Sequence, residues 1–190
     1  MGIKGRELQT AKATDLKQTI RIGLDECTAA LEECLQNLKP EHLWQARPID
    51  GRHNIGSMAM HCLENLSEYG LRVQGAEGVV ESADWYDVWK HGPKELLLRQ
   101  RERNLPEGGE LMESVRQTRR RALDHLESLS EDDLRKPADT EWFRDYPDRT
   151  RADAYIRTTM HTQAHVRQIW LLRGKLDMTD RHGWPDQHWA

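Results

Sequence analysis

The sequence predicts an all-α protein, a four-helix bundle with a long crossover between its second and third helices. Three observations carry this. Apolar residues recur at three- and four-residue spacing through four separate segments, the period of a helix with one inward face. Only 37% of the 190 residues are hydrophobic and 32% are charged, the balance expected when one stripe of each helix faces the core. A weak internal repeat suggests two helical hairpins. Leu35, Leu38 and Leu43 have the same spacing as Leu126, Leu129 and Leu134, and in each copy a helix ends in a polar turn followed by a proline, Pro48 or Pro137.

The first helix reads from about Ala13 to Leu38, with Leu24, Cys27, Leu31, Cys34, Leu35 and Leu38 as its stripe. Lys39-Pro40 ends it, because proline disfavours helix at the residue before it. Pro48, Asp50 and Gly51 mark a loop. The second helix starts at Asn54, a good N-cap, and runs to about Gly75. Ile55, Ala59, Cys62, Leu66, Tyr69 and Val73 form its inner face. Residues 76–108 are broken by glycines, Trp85, Trp89, Pro93 and Pro106, and read as a long connection with a short helix around Lys94 to Arg103.

The third helix spans about Gly109 to Leu129, followed by an irregular segment from Ser130 to Asp148. The fourth runs from about Thr150 to Arg173 and stops at Gly174, a natural C′ residue. Its stripe is Ala154, Thr158, His161, His165, Ile169 and Leu172. The expectation is one domain over residues 1–190, with its core in about 13–175 and a polar tail from 176 to 190.

Charge and cysteine use narrow the function classes. A net charge of −4 argues against a duplex-binding protein, so no nucleic-acid partner is expected. Arg116, Arg119, Arg120 and Arg121 sit among Glu110, Glu113, Asp124 and Glu127, and read as a solvated helix face rather than a phosphate site. No run approaches the roughly 18 apolar residues that cross a bilayer. The N-terminus lacks the apolar core of a signal peptide. Cys27, Cys34 and Cys62 are odd in number and lie within helical patterns, so they read as reduced thiols of a cytoplasmic protein. Cys27 and Cys34 share a helix face, either as a buried pair or as a redox couple.

The sharpest chemical signal is His161 and His165, four apart and therefore one turn apart on one helix face. His61 stands on the apolar second helix. Single histidines on an apolar face are commonly hydrogen-bonded core residues. Two on one inward stripe are costly unless something satisfies their nitrogens, and a metal ion does so. At 1.5 Å rise per residue, His61 lies roughly 10 Å from the start of its helix and His165 roughly 12 Å from the end of its own. Antiparallel second and fourth helices would bring all three level. Three neutral imidazoles would leave coordination positions open, as catalytic zinc sites do. Gln168, one turn after His165, and Glu64, one turn after His61, are candidates to support the ligands. His182 and His188 in the tail could reach an open position, although a mobile terminus is the plainer reading. His53, His91 and His125 read as surface or cap residues. The zincin motif is absent, since Thr162 stands where its glutamate would be, and no nucleophile elbow, P-loop or dinucleotide fingerprint occurs.

His161-x-x-x-His165-x-x-Gln168-Ile169, followed by Leu171-Leu172-Arg173, resembles the last-helix signature of the DinB/YfiT-like superfamily. Ile55-Gly56-Ser57-Met58-Ala59-Met60-His61 is similar to that family's second helix. The resemblance covers about residues 15 to 175, with Arg167 standing where many members carry glycine. It implies a helical bundle, often dimeric, holding a divalent ion, nickel or zinc, on His61, His161 and His165. It also implies thiol-dependent transfer with a low-molecular-weight thiol such as bacillithiol, mycothiol or glutathione, or related isomerisation or hydrolysis.

The leading expectation is therefore a metal-dependent S-transferase acting on a small electrophilic substrate. A metal-dependent hydrolase and a non-catalytic metal-binding or stress-response bundle are the alternatives. A homodimer is expected.

Overall fold

Short polar residues set where the helices begin. In the computed structural model, which describes residues 15–44, 54–79, 106–138 and 148–175, Asp15 caps the first helix by accepting from the Gln18 amide at 3.2 Å. This helix, α1, is Leu16–Leu35. Asn54 and Ser57 form a reciprocal capping box on α3, Ile55–Gly70. Glu107 and Glu110 do the same on α4, Gly108–Ser128. Thr150 and Asp153 exchange hydrogen bonds at the start of α6, Arg151–Lys175. Two five-residue helices also lie among the described residues: α2, Pro40–Trp44, and α5, Glu131–Arg135.

Four long helices make the bundle. α1 and α3 each pack against both α4 and α6. Named contacts give their directions. His61 meets His161, Asn65 meets Thr158, and Gln74 just beyond α3 bonds the Arg151 carbonyl, so α3 and α6 run antiparallel. Arg116 reaches Glu32, Arg119 reaches Asp25 and Lys17 reaches Glu127, so α1 and α4 are antiparallel too. Gly70 lies by Ala122, and Gln74 by His125, which makes α3 and α4 parallel. Parallel neighbours cannot be joined by a tight turn.

The core runs through all four helices. Leu24, Leu31 and Leu35 of α1, Leu63 and Leu66 of α3, Leu111 and Leu126 of α4, and Ile169 of α6 are fully buried. Both short helices add a buried leucine, Leu43 and Leu134. The predicted repeat thus has a structural counterpart, in which a long helix, a tight turn and a five-residue helix occur twice.

Several boundaries differ from expectation. α1 stops at Leu35 rather than Leu38. Asn37 adopts a left-handed conformation (φ 58°), and the Arg173 guanidinium donates to the carbonyls of Cys34 and Gln36 at 2.9 Å each. Those carbonyls no longer need a further helical turn. Pro40 opens α2 at a position where its missing N–H is harmless. The second predicted helix ends at Gly70, and its last residues form a 3-10 turn, Arg72–Gln74, closed by Gly75 at φ 89°.

The segment expected to be irregular contains α5, started by the Ser130–Asp133 capping box. Gly174 does not stop the last helix, which includes it and Lys175. A glycine near a helix end costs only about 1 kcal/mol. The expected helix at 94–103 and the residues Trp85, Trp89, His53, His91, His182 and His188 lie outside the described residues. Among the described residues no helix is long and apolar enough to cross a membrane.

Candidate metal centre

α3 and α6 carry the site because they face one another in antiparallel register. α3 is buried almost all round, with only His61 and Glu68 less than fully enclosed. The Trp44 indole lies over Gly56, so close that a Cβ there would meet ring atoms at 2.6 Å. Trp44 is tied in turn to the Pro106 carbonyl at 3.1 Å. These contacts fix the first turn of α3 and hence the level of His61.

α6 presents a polar inward stripe. Thr158 donates to Asn65 Oδ1 at 2.8 Å across the helix pair. One turn further along, the structure brings His61, His161 and His165 together. Each offers one ligand atom, and these atoms all lie within 4.8 Å of one another. Nε2 of His61 and Nε2 of His161 are 2.8 Å apart. The three rings meet edge to face, with centroids 4.5 to 5.1 Å apart. His165 is buried, while His61 and His161 retain some exposure, so the cluster is reachable from solvent.

Electrostatics favour a neutral His161 ring. Burial, and then the charges on the neighbouring imidazoles, pull the His161 pKa down to about 4. At neutral pH its ring keeps a lone pair free for donation. Three imidazoles on two helices, close together and with at least one held neutral, form a donor set that suits a divalent transition metal.

Both supporting candidates lie where the spacing suggests. Gln168 Oε1 is 2.6 Å from His165 Nδ1, and Glu64 Oε2 is 3.9 Å from His61 Nδ1. The Asn65–Thr158 bond escapes the sequence reading, although Asn65 follows His61 by one turn on an inward face and so signals a polar partner. Thr162, next to His161, is also buried, with an unpartnered hydroxyl.

Other expectations resolve plainly. Arg116 is ion-paired with Glu32 of α1 and Glu113 of its own helix, Arg119 is ion-paired with Asp25 of α1, and Arg120 and Arg121 are exposed. His125 is more than a surface residue, because its Nε2 lies 3.1 Å from the Gln74 carbonyl and links α4 to the turn after α3. Cys27, Cys34 and Cys62 are free and buried. Burial pushes the Cys27 thiol up to about 12 and raises the other two as well. They serve as small core side chains.

Compared with known proteins, residues 23–169 match the family described as the DinB superfamily, so the chain belongs to that superfamily. No curated protein matches it.

Proposed function

We propose that this DinB-superfamily protein is a divalent-metal-dependent enzyme whose ion is held by His61, His161 and His165, and that it transfers a low-molecular-weight thiol onto a small electrophile. The observation that carries the reading is the meeting of three imidazole donors from two helices, within 4.8 Å, with two of the three partly exposed. When bound, zinc or nickel would supply a Lewis acid that lowers the pKa of a thiol it takes up. Three protein ligands leave room for that thiol.

The chain's own residues have defined tasks. The histidines hold the ion, and His161 stays unprotonated to do so. Leu63, Leu66 and Ile169 belong to the apolar core that holds the two helices. The three cysteines are buried and held protonated, which leaves them unsuited as nucleophiles and supports a thiol brought from outside. The same buried, unoxidised cysteines support a reducing compartment such as the cytoplasm.

The test is elemental analysis of protein purified without an immobilised-metal column, beside the His161→Ala/His165→Ala double variant. Near-stoichiometric metal in the wild type and its loss in the variant are expected. Absence of metal from both, even after added zinc or nickel, overturns the reading. Substrate panels with and without thiol then decide the reaction, since turnover that proceeds equally without thiol makes the protein a hydrolase instead.

A further inference from the structure

Two polar side chains stand behind the histidines rather than among them. The inward nitrogen of both His61 and His161 is Nε2, because these two atoms face each other at 2.8 Å. The opposite nitrogen of His61, Nδ1, faces Glu64 Oε2 at 3.9 Å, within ion-pair range but longer than a hydrogen bond. Glu64 is only 8% exposed, and its Oε2 has no hydrogen-bond donor. A buried carboxylate oxygen left in that state is costly, and an apolar residue of similar size is often neutral or stabilising in its place. Its position beside a histidine calls for a reason other than stability.

His165 repeats the pattern. Its Nδ1 lies 2.6 Å from Gln168 Oε1. An amide oxygen only accepts, so this contact puts the ring proton on Nδ1 and leaves the lone pair on Nε2.

We infer that Glu64 and Gln168 are positioning residues: each takes the Nδ1 side of a histidine, so that His61 and His165 both present Nε2 lone pairs beside His161. The inference rests on the metal-dependent reading above. It assigns the two side chains the task of selecting tautomer and ring orientation, which commonly decides how tightly imidazoles grip an ion. The arrangement is asymmetric, with a carboxylate serving the α3 ligand and an amide serving one α6 ligand.

The experiment has two readouts. Long-range proton–nitrogen spectra of metal-free, nitrogen-15-labelled protein report the His165 tautomer directly. The wild type should show the Nδ1–H form, and Gln168→Leu should shift towards Nε2–H. Gln168 is exposed, so this variant leaves the core intact. Zinc titration against a chromophoric chelator should then show Gln168→Leu and Glu64→Leu binding roughly ten- to a hundredfold more weakly, with Gln168→Glu close to wild type.

Glu64→Leu separates positioning from structure. Removing the buried carboxylate should keep or raise the melting temperature of the metal-free protein while zinc affinity falls. An unchanged tautomer in Gln168→Leu, or unchanged zinc affinity in both leucine variants, overturns the inference. Failure of the wild type to take zinc overturns the metal reading. The tautomer, read without metal, still decides whether Gln168 orients His165.

Discussion

α3 and α6 supply the same site but are built differently. α3 is shorter, mostly apolar and enclosed by its neighbours, with His61, Glu64 and Asn65 among the polar residues in a close-packed rod. α6 is longer, and its inward face sets a polar row, Thr158, His161, Thr162, His165 and, at its end, Arg173, among buried apolar residues such as Tyr155, Val166, Ile169 and Leu172. The difference suggests a division of labour. α3 anchors the fold and sets the level of one ligand, whereas α6 trades core packing for a row of donors and acceptors. Much of that row is matched, with Thr158 bonded to Asn65, Arg173 to two α1 carbonyls and the histidines set against one another, whereas the Thr162 hydroxyl is not.

The largest effect that sharpens this contrast should come from α3. Leu66→Ala removes a fully buried side chain and should cost roughly 2–5 kcal/mol in urea denaturation. A loss under about 1 kcal/mol would break the view of α3 as the packed rod.

A smaller loss is expected at the polar seam. Thr158→Val keeps the shape but leaves Asn65 Oδ1 without its 2.8 Å donor, which should cost about 1–3 kcal/mol by the same method. A neutral result would show that the seam contributes little and that α6 is held by its apolar residues alone.

The mildest effect is one of pH. The His161 pKa is lowered to about 4 in the fold from an ordinary 6.5, so the unfolded chain binds the proton first as pH falls. Stability of the metal-free protein should therefore be full above about 6.5 and decline from there towards 4. Denaturation midpoints measured across that range should fall less steeply in His161→Leu than in the wild type. Parallel slopes would remove His161 as the source.

Much of this contrast can be read from the chain itself. The leucine and cysteine spacing on α1, the Asn54 cap and the inward row on α6 are local patterns, and local patterns survive in one dimension. The Ser130-Glu131-Asp132-Asp133 run was equally legible as a capping box opening a helix, and a reading that weighed caps before loop composition would have found α5. The early end of α1 was not legible, because the group that takes over its carbonyls, Arg173, is 139 residues from Cys34.

By itself, then, the sequence determined the helical periods, the caps, the histidine pair one turn apart and the buried character of the cysteines, all of which depend on neighbours within a few residues. Only the tertiary structure decided that His61 stands level with that pair, that Asn65 bonds Thr158, and that Glu64 and Gln168 lie on the Nδ1 sides of their histidines. Those facts depend on the register and direction of two packed helices. Register is set by how whole faces interlock, a sum over many distant side chains that no short stretch of sequence contains.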